Sequence, residues 1–342
     1  MTEAGIIGIS SCTQRVVLPA VRDMARELFG CDELAGPELE NQDSGCRLVG
    51  SHWEQRMFNG NTMAPTSSSH QVLSPLTLAM AEESGWYKAN FSALEQQQWP
   101  GRDWGSDVGC DAALHKPGLS GDPLRSVTTN SSLRAGEPLF CSESSSSNEC
   151  SFDRRGVGIC QLVSYQDLEE EYRHFGETEA PYQAGTLQRM EFLPHVPPSR
   201  WCEDTAEHKK FNLDSETGLF FGNESACFDS TLVLDDTRFV SVDRVSGCYR
   251  HRCIWPAQTM TSIGSNGLAD PILQIIPFDR EGDPMAGVNC TASDAGIGKS
   301  VGGFTGSIKC IHPKLLCRVI DDPRETLSSA PSIAPSPETS PT

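Results

Sequence analysis

The chain reads Gly50-Ser51-His52-Trp53-Glu54 and then, after six intervening residues, Asn61-Thr62-Met63-Ala64-Pro65. His52 carries an imidazole, the commonest metal ligand among protein side chains. Met63 follows in a segment where Pro65 fixes φ, and a thioether there can pack as a soft, apolar base under metal ligands. A histidine followed by a methionine in such a turn indicates one edge of a zinc-protease active site.

The rest of such a site is missing from the chain. A catalytic zinc ion needs three protein ligands and an open position for water. Zinc proteases of this kind take two ligands from a helix that reads His-Glu-x-x-His, whose Glu is the general base. The eight histidines contain no such motif: His52, His70, His115, His174, His195, His208, His251 and His312. We therefore expect no catalytic residue in this chain and no zinc held by His52 alone.

His70 and Glu54 are the nearest substitutes for the missing ligands. Neither has helical ligand spacing with a second histidine. We expect Glu54 to face solvent or to form a salt bridge. No Ser-His-Asp, Cys-His or phosphate-loop pattern offers a different chemistry.

Several segments resemble, in their order, the part of leishmanolysin-type metalloproteases that follows the His-Glu-x-x-His helix. Besides the two segments already quoted, they are Ala25-Arg26-Glu27-Leu28-Phe29-Gly30-Cys31, Leu76-Thr77-Leu78-Ala79-Met80-Ala81-Glu82-Glu83-Ser84-Gly85-Trp86-Tyr87, Cys150-Ser151-Phe152-Asp153-Arg154-Arg155-Gly156-Val157-Gly158 and Gly247-Cys248-Tyr249, with Cys310 and Cys317. The resemblance implies that His52 is the third zinc ligand of the complete enzyme and Met63 its Met-turn. It also implies that both lie close together at an edge with exposed apolar surface.

The resemblance further implies an α+β fold of the metzincin clan. We expect a partial catalytic region at 1–110, a Ser/Gly/Pro-rich linker or insertion at 111–149, a cysteine-rich, mostly β domain at 150–318 and a disordered tail at 319–342. Apolar runs at 231–234 and 238–242 predict short strands.

A first helix is predicted by local signals. Pro19 lies in its first turn and Gly30 ends it. The helical spacing of its apolar stripe is carried by Leu18, Val21, Ala25 and Leu28. The loop that follows, at 32–51, is expected to be tied by Cys31 and Cys46.

A second helix is predicted between Ser74 as N-cap and Gly85 as stop, with Pro75 at its first position. The residues expected to face inward are Leu76, Ala79 and Met80. The pair Trp86-Tyr87 is expected to anchor the exit of the helix.

Composition indicates an extracellular or cell-surface protein of the secretory pathway. The fourteen cysteines contain no Cys-x-x-Cys pair, which favours a disulfide framework over a zinc cluster. Sequons begin at Asn90, Asn130, Asn223 and Asn289. A net charge of −19 argues against a nucleic-acid partner. The longest apolar runs, such as 273–278, are too short for a transmembrane segment.

The N-terminus lacks a secretory signal. Met1-Thr2-Glu3-Ala4 has no basic region, and the apolar stretch at 6–9 is too short for a signal peptide. We expect that Met1 is not the natural start of the protein. Such a truncation would also explain the missing His-Glu-x-x-His helix.

The resemblance supports two functions. The first is a zinc-dependent metalloendopeptidase that cleaves protein or peptide substrates, of which this chain is a fragment that is inactive alone. The complete enzyme would need Zn²⁺, because zinc-bound water is the attacking group in such proteases. The alternative is a non-catalytic adhesion or interaction module at a cell surface.

Overall fold

The computed structural model describes residues 13–41, 50–66, 71–91, 104–106, 108–114, 139–141, 148–175, 182–206, 216–235, 246–255 and 270–317. The predicted tail, the predicted strand at 238–242 and most of the predicted linker lie outside these residues. Within them, a few short helices and many short strands form a mixed, strand-rich structure, as expected for the α+β class. The proposed domain boundaries stay predictions.

The first helix, α1 (Pro19–Phe29), has the predicted bounds. It ends at Gly30, whose φ of 63° lies in the left-handed region that glycine adopts without steric cost. The buried residues of α1 recur every four positions and are Val21, Ala25 and Phe29. The stripe was wrong at Leu18, which precedes the helix and is 38% exposed.

The second predicted helix, α3 (Pro75–Glu83), follows the one-turn helix α2 (Gln55–Phe58). The Ser74 hydroxyl accepts a hydrogen bond from the Thr77 amide at 3.4 Å, as an N-cap should. The predicted inward residues are confirmed: Leu76 and Ala79 are buried, and Met80 packs half-buried against the same core.

The prediction that Trp86 and Tyr87 anchor the exit of α3 is wrong. The two side chains are 85% and 65% exposed. Gly85 has a φ of 73° and ends the helix, so the chain after it leaves the core. The Ala20 amide donates to Glu83 Oε1 at 2.9 Å, which brings the start of α1 beside the end of α3. Val17, 63% exposed, therefore lies at the same end of the helix pair.

The first hydrophobic core combines residues from before, within and after the predicted linker. Helices α1 to α3 and α4 (Gly109–Leu114) supply one part of it. Leu139, Phe140, Met190 and Leu193 supply another part and are buried in the same cluster.

Two disulfides hold this core. Cys31 pairs with Cys110, with their Cα atoms 4.7 Å apart, and Cys141 pairs with Cys160. The expected link from Cys31 to Cys46 is therefore wrong. Cys31 follows the end of α1, which packs against α4, so its partner comes from that helix rather than from its own loop.

The strands of the described residues pair in antiparallel fashion, and most of them are short. A three-stranded sheet has the order β1 (Glu149–Cys150), β2 (Gly156–Gly158), β5 (Pro198–Trp201), and β3 (Leu162–Ser164) pairs with β4 (Gln183–Gly185). A four-stranded sheet has the order β10 (Val288–Cys290), β9 (Ile272–Ile276), β8 (Gly247–Ile254), β6 (Ser225–Phe228). Two smaller pairs are β7 (Val233–Leu234) with β12 (Phe304–Thr305) and β11 (Gly298–Lys299) with β13 (Ile308–Lys309).

A second core lies on one face of the four-stranded sheet. Leu273 and Ile275 of β9 are fully buried while their neighbours in the strand are only partly buried, as the two-residue period of a strand requires. The predicted strand at 231–234 is confirmed in its second half as β7.

The predicted disulfide framework is confirmed. The remaining four bridges are Cys150–Cys227, Cys202–Cys248, Cys253–Cys317 and Cys290–Cys310. The first of them fastens the three-stranded sheet to the four-stranded one. Every cysteine of the described ranges is paired, and Cys12 and Cys46 lie outside those ranges.

Candidate functional site

His52 lies in a segment that is hydrogen-bonded to two neighbouring segments. On one side, the Glu40 amide donates to the His52 carbonyl at 3.0 Å. On the other side, the Trp53 amide donates to the Met63 carbonyl at 2.9 Å. These two hydrogen bonds bring His52 and Met63 into adjacent segments, which is the proximity that the family resemblance implied.

The turn around Met63 is built by Asn61. Its side-chain oxygen accepts a hydrogen bond from the Met63 amide at 3.0 Å, and its carbonyl accepts one from Ala64 at 2.9 Å. This is an Asx-type turn, in which a short polar side chain replaces a backbone partner. Met63 is half-buried and packs against the first core. Pro65 was the turn residue that stood out in the sequence, whereas Asn61, also a common turn residue, makes the hydrogen bonds that shape the turn.

The imidazole of His52 is held at one of its two nitrogens. Its Nδ1 lies 2.7 Å from Glu40 Oε1. The His52 side chain is 44% exposed, whereas that of Glu40 is 18% exposed. The ring is therefore anchored on its Nδ1 side and open to solvent elsewhere.

The expectation that Glu54 faces solvent is wrong. Glu54 is fully buried and is the N-cap of α2, where its carboxylate accepts a hydrogen bond from the Arg56 amide at 3.2 Å. A carboxylate at that position supplies a partner for a free helical N–H. The Glu54 carboxylate also attracts the Arg56 guanidinium and helps to raise the pKa of Arg56; the salt bridge expected of Glu54 stays a prediction.

Among the described residues, His52 is a single candidate zinc ligand rather than part of a complete site. Across the described ranges, no group of three His, Cys, Asp or Glu side chains could hold a metal ion. His52 fits one position, because a histidine that binds zinc through one nitrogen commonly donates the other N–H to a carboxylate. His70 lies outside the described residues.

Comparison with known protein families shows which family the chain belongs to. A sequence model described as Leishmanolysin matches residues 10–269, which is 260 of the 342 residues. The chain belongs to the leishmanolysin family. The matched range contains His52, Met63 and most of the disulfide-bonded cysteines.

Three relatives show the extent of the similarity. A leishmanolysin-like peptidase of Caenorhabditis briggsae is 29% identical over 266 residues, which cover 70% of this chain and 38% of that protein. The leishmanolysin-like peptidase of Drosophila melanogaster is 27% identical over 282 residues, 72% of this chain and 38% of that protein. The leishmanolysin of Leishmania amazonensis is 28% identical over 250 residues, with the same coverage of 72% and 38%. The chain thus spans less than half the length of the curated relatives it matches.

This leishmanolysin-family chain contains a buried charge network beside the candidate site. Arg56 of α2 is buried, and its Nη2 lies 2.7 Å from Glu38 Oε2 while its Nε lies 3.2 Å from Glu191 Oε2. Burial alone would lower the pKa of Arg56, but attraction to Glu38, Glu191 and Glu54 outweighs it and raises the pKa. Arg15 makes a second contact to Glu38 at 2.6 Å. The network had no sequence signal, because its members come from distant parts of the chain.

The leishmanolysin-family chain also has a cavity of about 240 Å³ next to the Met63 turn. Its lining includes Gln55, Asn59, Asn61, His195 and Trp201. Burial lowers the pKa of His195 to about 4, although a hydrogen bond with the Leu193 backbone opposes the shift. His195 is therefore neutral at pH 7 and belongs to the packed interior.

Proposed function

We propose that the chain is the C-terminal part of a zinc-dependent metalloendopeptidase, in which His52 is the third zinc ligand and Met63 the Met-turn. The observation that carries the proposal is the backbone contact between Trp53 and Met63, which puts the turn directly beside His52. Membership of a metallopeptidase family supports the same conclusion.

In the complete enzyme, the residues of this chain would provide one zinc ligand and hold it in position. His52 offers a half-exposed imidazole, Met63 packs against the first core, and Asn61 keeps the turn in shape. A bound zinc ion would supply an activated water and polarise the peptide carbonyl of a protein substrate. The other two ligands and the general-base glutamate would come from a His-Glu-x-x-His helix outside this chain.

The chain by itself should be proteolytically silent, because one ligand cannot retain the ion. The test is cleavage of casein and peptide libraries by purified protein with and without a chelator. Chelator-sensitive cleavage by these 342 residues would overturn the proposal.

The ligand role of His52 is tested in a longer product that includes the His-Glu-x-x-His segment. His52→Ala should remove bound zinc and most peptidase activity, since one of three ligands is lost. Ser51→Ala is the matched control, because Ser51 is the exposed neighbour of His52 and should leave both unchanged. Retention of full zinc stoichiometry by His52→Ala would show that another residue is the third ligand.

We propose an extracellular or cell-surface location reached through the secretory pathway. Six disulfides among the described residues favour an oxidising compartment. The sequon residues Asn90, Asn223 and Asn289 are exposed, and Asn130 lies outside the described residues. No helix in the described ranges is long and apolar enough to cross a membrane.

The alternative proposal is a non-catalytic adhesion or interaction module. It is favoured by the exposed apolar side chains at the end of the α1–α3 pair, namely Val17, Leu18, Trp86 and Tyr87. They follow the last turn of α3 and precede α1, whereas Trp53 contacts α3 in its first turn through a 3.1 Å hydrogen bond to Thr77. The expectation that His52 shares an edge with this apolar surface therefore stays a prediction. Cell binding that survives His52→Ala but not Trp86→Ser would support the alternative.

A further inference from the structure

The backbone of Glu40 is hydrogen-bonded, through both its amide and its carbonyl, to the segment that carries His52. The Glu40 amide donates to the His52 carbonyl at 3.0 Å, and the Glu40 carbonyl accepts from the Gly50 amide at 3.2 Å. The two segments therefore have a defined register. Glu40 Oε1 reaches His52 Nδ1 at 2.7 Å from this position.

Gly50 leaves the space that the Glu40 side chain occupies. A Cβ atom added at Gly50 would lie 1.9 Å from both Cγ and Oε1 of Glu40, far inside contact distance. The carboxylate thus crosses the position where any other residue would place its side chain. A glycine is therefore required at position 50, because a larger residue would clash with the Glu40 side chain that reaches the imidazole.

The contact determines which nitrogen of His52 is available. An ionised carboxylate can only accept hydrogen bonds, so neutral His52 must carry its proton on Nδ1 to make this contact. The lone pair is then on Nε2, and the half-exposed ring leaves that side of the imidazole accessible to a ligand. Without the carboxylate, nothing among the described contacts of the ring selects this tautomer.

We propose that Glu40 is a positioning residue that holds His52 in the Nδ1–H tautomer and so presents Nε2 for zinc, with Gly50 providing the room. This inference rests on the proposed ligand role of His52, but the contact between Glu40 and His52 does not depend on zinc. Partners of this kind typically change metal affinity by about 10–100-fold when removed.

The first experiment measures the tautomer in the secreted chain without metal. Long-range ¹H–¹⁵N NMR at pH 8.5 distinguishes the two neutral tautomers, and His52→Gln identifies the signals of His52 among the eight histidines. We expect Nδ1–H in the wild type and a shift toward Nε2–H in both Glu40→Ala and Gly50→Ala. Glu33→Ala, at an exposed glutamate, should leave the spectrum unchanged.

Two independent variants keep this test decisive. If Glu40→Ala fails to fold, Gly50→Ala displaces the same carboxylate by a different route. A wild-type His52 in the Nε2–H form would overturn the inference. So would an unchanged tautomer in a folded variant of either kind.

The second experiment separates this inference from the proposed function. In the longer product that includes the His-Glu-x-x-His segment, Glu40→Ala should weaken zinc binding by about 10–100-fold in competition with a chelator. If His52→Ala abolishes zinc binding but Glu40→Ala does not weaken it, the positioning role fails and the ligand role stands. If His52→Ala leaves zinc bound, the ligand role fails, and the NMR result alone decides the Glu40 contact.

Discussion

Replacement of Arg56 by methionine should be among the most destabilising single changes near the candidate site. Methionine keeps the length and apolar stem of the side chain but removes the guanidinium. Glu191 and Glu54 would then lose the Arg56 cation while they stay buried, and Glu38 would keep its contact with Arg15. An uncompensated buried carboxylate costs far more than the pair contributes when it is complete.

The magnitude follows from the distances. Unit charges 2.7 Å apart, as in the contact between Arg56 and Glu38, attract by about 6 kcal/mol at an effective dielectric constant of about 20. Part of that attraction offsets desolvation, and removing one partner of a buried pair typically costs about 3–5 kcal/mol. This is a large share of the roughly 5–15 kcal/mol that stabilises a domain.

The assay is urea unfolding of the secreted, disulfide-intact protein, followed by tryptophan fluorescence. Trp53 and Trp104 are buried in the same core as Arg56, and Trp104 donates to the Arg56 carbonyl at 2.8 Å, so their emission reports on this region. The free energy of unfolding should fall by about 3–5 kcal/mol in Arg56→Met. Combining it with Glu191→Gln should restore about 1 kcal/mol or more, because contacting residues are energetically coupled.

Arg22→Met is the matched control for Arg56→Met. Arg22 pairs with Asp23 at 2.9 Å, but both side chains are substantially exposed. Exposed pairs contribute roughly 0–1 kcal/mol, so this variant should unfold almost as the wild type does. Equal losses in the two variants, or a loss below about 1 kcal/mol in Arg56→Met, would show that the buried network does not stabilise the fold.

Three further predictions concern pH, disulfides and glycosylation. Since the pKa of His195 is lowered to about 4, the unfolded chain binds more protons than the folded chain below about pH 6.5, and the free energy of unfolding should fall by about 3 kcal/mol between pH 6.5 and 4. Urea unfolding at pH 7 and 4.5 should show a smaller difference in stability for His195→Gln than for the wild type. An equal difference would contradict the buried, neutral histidine. Replacing Cys31 and Cys110 together by serine should cost about 2–4 kcal/mol, because the bridge closes a separation of 79 residues; thiol counting on denatured, unreduced protein should find the twelve described cysteines oxidised, and most of them free would refute the extracellular location. Secreted protein should carry N-glycans at the exposed residues Asn90, Asn223 and Asn289, seen as mass shifts that asparagine-to-glutamine changes remove one at a time, and an unmodified secreted chain would contradict this.

Local structure was readable from the sequence where neighbouring residues determine it. Pro19 and Gly30 predicted the ends of α1, and Ser74 predicted the start of α3, because caps and helix breakers act within one turn. Where the chain goes after a helix depends on what it can pack against. Trp86 is a large apolar residue, yet it is exposed beyond Gly85, which local pattern cannot foresee.

The composition of the chain predicted disulfides but not their pairing. Spacing along the sequence favoured Cys46 as the partner of Cys31, whereas packing of α1 beside α4 brings Cys110 within bonding distance. A disulfide joins residues whose Cα atoms are about 5–6 Å apart in space, and that distance is set by the tertiary fold.

The candidate site shows the same division. The order of short motifs along the chain determined the family and singled out His52 and Met63 as a pair, because those segments carry the family pattern in sequence. Only the tertiary structure placed the Glu40 carboxylate on His52 Nδ1, buried Glu54 as a helix cap and enclosed Arg56 among three carboxylates. The physical reason is that hydrogen bonds and charge pairs depend on distances of about 3 Å between atoms. Residues far apart in sequence reach such distances only when the chain has folded.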